Sequence, residues 1–258
     1  MNRNGNRNGN HRLVEACARP GCPVCGCLRE AASRHLAAVL AEHVTDPISR
    51  ERLAGAWGFC AAHAGALRDM PEVALGTAIV YQALVERACS WLEETARGAR
   101  DRHRGWRALV GRSPSTGNAR RPRRDRCPVC VELVATEACH LDALLTGLED
   151  PKLGPAYGAS DGLCLPHLEL ALERARAGSE AARLVDLARA KFRALADDLR
   201  RFVDKHDHRA RPTFTDREAL AWRQALALVA GPVELFGPDM ARRDGEDGPR
   251  STRPRRRR

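Results

Sequence analysis

Apolar side chains recur along this chain in steps of three and four, while alternation in steps of two is almost absent and β-branched residues are sparse. Steps of three and four keep side chains on one face of a helix, whereas a half-buried strand needs alternation. The pattern therefore predicts an all-α fold. Residues 28–44 read as a helix of 17 residues, which would run out about 26 Å. Asp46-Pro47 breaks it, because the residue before a proline is pushed out of helical geometry. A short helix follows over roughly 48–56, and a few extended residues through Gly58 bring the chain back. Two long helical segments come later. One carries an apolar seam of Tyr81, Val85, Ala88, Leu92 and Ala96, the other a seam of Ala188, Phe192, Leu195, Leu199 and Phe202. Such seams suit packing against another helix, and the two long helices are candidates to pack on each other. A final helix is predicted over Asp216–Ala230, opened by a Thr215 N-cap and stopped at Gly231-Pro232.

Within this helical pattern one set of residues recurs. Cys22-Pro23-Val24-Cys25 returns as Cys127-Pro128-Val129-Cys130, an offset of 105, and Gly58-Phe59-Cys60-Ala61-Ala62-His63 returns as Gly162-Leu163-Cys164-Leu165-Pro166-His167, an offset of 104. His35 matches His140, and Asp46-Pro47 matches Asp150-Pro151. A single deletion in the second copy reconciles all of them, so the chain reads as a tandem pseudo-repeat. Its expected parts are a disordered tail over 1–12, a first repeat over 13–110, a linker over 111–126, a second repeat over 127–231 and a disordered tail over 232–258.

Each copy supplies Cys, Cys, Cys and His, with 34 residues between Cys25 and Cys60 and 33 between Cys130 and Cys164. Three thiolates and one imidazole make a closed tetrahedral shell of the kind structural zinc prefers. In the second pair of each copy, Cys and His at i and i+3 share one helix face. The expectation is one Cys3His metal site per repeat: Cys22, Cys25, Cys60 and His63 in the first, Cys127, Cys130, Cys164 and His167 in the second. Two zinc ions are expected, with an iron–sulfur cluster as the alternative occupant. His35 and His140 are candidates to orient the ligands from behind. Cys17, Cys27, Cys89 and Cys139 have no counterpart in the other copy and read as core or incidental thiols. Cys17, Cys22 and Cys25 match the plant-type ferredoxin spacing, but the position equivalent to Cys17 is Pro122, so that match reads as accidental.

Composition changes the picture in two ways. The 258 residues carry a formal net charge of +10, yet segments 1–12, 97–126 and 242–258 hold +3, +9 and +5, while 13–96 and 127–241 hold −3 and −4. The basic character thus belongs to tails and linker. Those Arg runs are either solvated chain or a weakly specific contact for nucleic acid. Arg outnumbers Lys 40 to 3 throughout, and no aromatic residues interleave the runs as stacking platforms. The longest charge-free apolar stretch, Leu53 to Leu67, is too short to span a bilayer, and no hydrophobic signal segment follows the first residues. A cytoplasmic location is expected, where ten cysteines point to metal or redox chemistry rather than to disulfides.

Cys-Pro-Val-Cys at 22–25, Val44-Thr45-Asp46-Pro47, Gly-Phe-Cys-Ala-Ala-His at 58–63 and Phe202-Val203-Asp204-Lys205-His206-Asp207 together resemble a bacterial domain-of-unknown-function family with paired CPxC and GFCxxH motifs. The resemblance covers about residues 15–231 and implies no established activity. The family tends to place an aromatic residue after the last Asp of that closing motif, where this chain has His208.

Three functions follow as expectations. The first is a non-enzymatic, zinc-binding helical scaffold that meets an unknown protein partner. The chain shows no nucleophile–base set and no phosphate loop. The second is a redox-responsive thiol–zinc switch or iron–sulfur protein, since both CPxC pairs stand at helix starts, where thiol pKa falls. The third is nucleic-acid binding through the Arg-rich linker and tail.

Overall fold

The computed structural model describes residues 3–106, 125–206, 213–231 and 235. Most of the Arg-rich linker and the whole C-terminal Arg run, like His208, lie outside these residues. Among the described residues there is no strand. Ten α-helices follow in order: α1 (Arg3–Cys17), α2 (Pro23–Ala37), α3 (Pro47–Ala56), α4 (Ala61–Ala66), α5 (Ala74–Trp106), α6 (Pro128–Gly147), α7 (Leu153–Ala159), α8 (Leu165–Arg174), α9 (Gly178–His206) and α10 (Asp216–Ala230).

Several of these ends follow directly from local chemistry. Asp46 caps α3, its carboxylate accepting the Ser49 N–H at 2.8 Å, with Pro47 in the first helical turn. Thr215 opens α10 in a full capping box, since the Glu218 side chain returns to the Thr215 N–H while Thr215 Oγ1 accepts from the Glu218 N–H. Past α2 the ladder loosens into one π turn over Ala38–Glu42, closed by the His43 N–H on the Ala38 carbonyl. The helix expected over 28–44 is therefore two pieces, starting five residues earlier at Pro23.

The N-terminal helix differs from the expected tail. Asn and Gly are poor helix formers, but α1 packs against α2, α6 and α7 and buries Leu13, Ala16 and Cys17 along one face. Tertiary burial here outweighs propensity.

The seams divide. Along α9 the expected seam holds: Ala188 is buried, Phe192 packs partly buried on the core, and the helix lies against α10 and α6. Along α5 it does not. Val80 and Leu84 face inward, whereas Val85 and Leu92 are more than half exposed, and α5 packs on α3 and the turns around residues 38–42 and 71–73. The principal partners of α5 and α9 are thus other elements, not each other.

At the centre α2 packs against α6. The start of α2 reaches residues that contact the third turn of α6, while His35 near the end of α2 lies within electrostatic reach of Cys127 at the start of α6. The two helices therefore run past each other in opposite senses. One continuous apolar cluster spans both halves of the chain, from Leu13, Leu28 and Leu36 to Leu133, Leu144, Tyr157 and Leu184. The stretches 13–110 and 127–231 share this core.

Candidate metal centres

All eight expected ligands stand at helix starts. Cys22 and Cys127 occupy the cap positions of α2 and α6 with extended backbone, followed by Pro23 and Pro128, whose fixed φ suits a first helical residue. Cys25 and Cys130 then lie three residues on, one turn up the same face. Cys60 and Cys164 occupy the cap positions of α4 and α8, with His63 and His167 three residues on. None of the four capping cysteines uses its side chain to cap its helix. Their sulfurs are turned elsewhere, towards the residue at i+3.

Before each Cys-His pair the chain must turn sharply. Gly58 and Gly162 both adopt φ +84°, which an L side chain rarely tolerates. The Phe59 N–H donates to Tyr81 Oη and the Leu163 N–H to Tyr157 Oη, each at 3.4 Å, pinning the two turns alike.

The structure gathers the ligands into two clusters, and their membership corrects the expected pairing. Cluster I is Cys22, Cys25, Cys164 and His167; cluster II is Cys60, His63, Cys127 and Cys130. Each joins the CPxC pair of one half to the Cys-His pair of the other. Pairing within a copy would require each CPxC to meet the Cys-His helix that follows it. The opposed packing of α2 and α6 instead carries the start of α2 to α8 and the start of α6 to α4.

The ligand atoms of each cluster lie within 4.8 Å of one another. In cluster I, Nδ1 of His167 is 3.5 Å from Cys22 Sγ and 3.1 Å from both Cys25 Sγ and Cys164 Sγ, and Cys25 Sγ to Cys164 Sγ is 3.6 Å. In cluster II, Nδ1 of His63 is 3.2, 3.6 and 3.5 Å from the sulfurs of Cys60, Cys127 and Cys130, with Cys60 Sγ to Cys130 Sγ at 3.6 Å. Zn–S bonds of about 2.3 Å and Zn–N bonds of about 2.0–2.1 Å imply tetrahedral edges of roughly 3.8 Å (S–S) and roughly 3.6 Å (S–N). These four edges in each cluster are equal to the ideal ones or shorter by up to about 0.5 Å, and with all ligand atoms within 4.8 Å of one another each set is compact enough for a single ion. No disulfide is present, and all ten cysteines are free thiols.

Protons are shared unevenly within each cluster. Burial alone would lower the His167 and His63 rings, but hydrogen bonds donated by the ring to Cys164 and Cys22 push His167 up to about 11, and those donated to Cys127 and Cys60 push His63 up to about 9. Burial would raise Cys22, yet its contacts with Cys164, Cys25 and His167 hold that thiol well below its ordinary range. Cys127 is likewise lowered, chiefly by Cys130 and Cys60. In each site one lowered thiol thus faces one raised imidazole, while hydrogen bonds with Cys164 and Cys22, together with burial, push the Cys25 thiol far above its ordinary range.

Behind the ligands the clusters differ. His167 turns Nε2 to Glu137 Oε1 at 3.0 Å, and this glutamate on α6 is 5% exposed. A carboxylate behind a metal-bound imidazole fixes the ring and its tautomer. His63 Nε2 is buried and finds no hydrogen-bond partner among the described residues. Sequence reasoning missed Glu137, although it is the one buried acidic residue on α6, between Leu133 and Leu141. At the 105-residue offset that relates the two CPxC pairs, its counterpart is Ala32.

The remaining candidates fall into place around these clusters. His35 is half-buried on α2, with Cys127 and His63 among the groups that act on it electrostatically. His140 is buried, and its charged neighbours are Arg12, Arg34 and Glu30 rather than any ligand. Its Nδ1 finds no partner among the described residues. Cys17 and Cys27 are buried outside the clusters, so the ferredoxin-like spacing gathers no third sulfur, while Cys89 and Cys139 are exposed.

Fold and site together define an all-helical protein with two four-residue Cys/His clusters that could each hold a metal ion. Residues 13–219 match the family of unknown function DUF6062, and the chain belongs to that family. No curated protein and no solved structure matches it. No helix among the described residues is long and apolar enough to cross a membrane.

Proposed function

We propose that this chain is a non-enzymatic helical scaffold stapled by two zinc ions, each tying one half of a duplicated sequence to the other. The observation that carries this reading is the closed shell of three thiols and one imidazole in each cluster, at edges suited to one tetrahedral ion. Zinc has no geometric demand beyond such a shell, and a site with four protein ligands leaves no position for a reacting water. An iron–sulfur cluster spreads its thiolates around several iron and sulfide ions, and ligand atoms within 4.8 Å of one another leave room for one ion only. Large apolar side chains exposed on α10, among them Trp222, Leu226 and Val229, support contact with a protein partner. Elemental analysis and an absorption spectrum of full-length protein, prepared anaerobically under reducing conditions, test the reading. Two zinc ions per chain and a colourless solution are expected; less than one zinc per chain, or iron with visible absorbance, would overturn it.

A further inference from the structure

Beyond stapling, the two clusters are unequally open to reagents. Cys22 is the one half-buried ligand among eight; the other seven are buried. It faces two cavities. The larger, about 660 Å³, lies between α9 and α10 and is lined by Cys22 and Cys164 together with Phe192, Leu195 and Leu220. The smaller, about 300 Å³, is lined by Cys22 and Cys25. Arg29 lines both. No ligand of cluster II lines either of these, nor the third described cavity, between α3 and α5.

From this asymmetry we propose that Cys22 is a site of oxidation by peroxides and that cluster I is a peroxide-labile metal centre beside a durable cluster II. This rests on the zinc reading above. Cavities of this size admit hydrogen peroxide to Cys22, and its thiolate attacks the peroxide. One oxygen joins the sulfur as a sulfenic acid; the other leaves as hydroxide and takes a proton to become water. Cys25, three residues on and in the same cluster, then displaces a second water from that sulfenic acid and forms the Cys22–Cys25 disulfide. Overall one peroxide and two protons become two waters, two thiolates are oxidised by two electrons, and the ion loses two of its four ligands. Cys164 and His167 alone do not hold it, so the tie between α2 and α8 opens. At cluster II all four ligands are buried and none lines a described cavity.

Zinc-loaded full-length protein is treated with hydrogen peroxide, released ion is followed with a chromophoric chelator, and the disulfides are mapped by mass spectrometry. The first zinc should leave at least about tenfold faster than the second, with a Cys22–Cys25 disulfide and intact cluster II thiols at that stage. Two ions leaving at one rate, or a first disulfide among Cys60, Cys127 and Cys130, would overturn the proposal while leaving the zinc reading intact. Protein that holds less than one zinc before treatment fails the zinc reading instead. Two variants check the assignment without relying on one fold. The ion remaining in Cys127→Ser should leave at the fast rate and that in Cys22→Ser at the slow rate; the reverse order would refute it.

Discussion

Cluster I and cluster II are each built from three cysteines and one histidine at the same helix positions, their Cys-His pairs following glycine turns of the same φ, yet their surroundings differ. Cluster I has a buried carboxylate behind its histidine and a half-buried cysteine facing two cavities. Cluster II has four buried ligands and a histidine whose outer nitrogen is unpartnered among the described residues. Glu137 against Ala32 at the 105-residue offset accounts for the first difference. Two Cys/His sets of the same composition can share their local geometry while the shells around them differ, because each shell comes from helix faces under their own packing constraints. Orientation of the imidazole and access to the sulfur are then separately adjustable.

The largest effect should come from removing both ions. Binding to structural zinc sites is linked to folding by on the order of 10 kcal/mol in small zinc peptides, against about 5–15 kcal/mol for the whole stability of an ordinary domain. A strong chelator should therefore abolish the cooperative melt followed by circular dichroism, and two zinc ions should restore it. Acid should act in the same direction. Every ligand binds metal in its deprotonated form, and the metal-free histidines stand near 11 and 9, so zinc uptake at pH 7 releases a proton from each ring. Affinity should fall as pH falls, and titration calorimetry in buffers of different ionisation enthalpy should read the proton release.

Next in size is a test of which residues belong together. The double variant Cys22→Ser with Cys164→Ser disables one cluster and should retain one zinc per chain. Cys22→Ser with Cys60→Ser touches both and should retain none at stoichiometric zinc. Pairing within each copy would give the opposite pattern, so zinc content alone separates the two arrangements.

The carboxylate behind His167 gives a smaller contrast. Glu137→Gln should weaken one of the two zinc sites by about 10- to 100-fold in chelator competition and leave the other unchanged. Equal weakening of both would assign Glu137 a general packing role. The smallest contrast lies in the turns. Gly58→Ala and Gly162→Ala should each cost about 1–2 kcal/mol because a side chain is strained at φ +84°. A Cβ at Gly162 would stand 2.6 Å from Lys191 Cδ, in a side chain whose Nζ is held by the Gly158 and Ser160 carbonyls, whereas one at Gly58 meets Leu84 and Tyr81 at 3.1 Å. Gly162→Ala should therefore lower the melting temperature further.

Much of this was legible from local chemistry. The break at Asp46-Pro47, the Thr215 cap, the α10 boundaries and the all-helical class follow from side chains that act within one turn of their own backbone. The α1 helix was not, because its Asn- and Gly-rich start has little propensity and is held by packing on α2, α6 and α7. The α5 seam misled for a related reason: spacing marks a possible contact face, but the partner decides which face is used, and Val80 and Leu84 are the side chains that meet the core.

The same division runs through the metal centres. By itself the sequence determined the ligand types and the half-sites, since Cys-Pro-Val-Cys and Cys-x-x-His each close within one helical turn. Which half-site meets which was decided only in the tertiary structure. The chain from Cys25 to Cys60 is long enough to return on itself, so connectivity leaves both pairings open; the opposed packing of α2 against α6 selects the crossed one, and with it joins the two halves around one core.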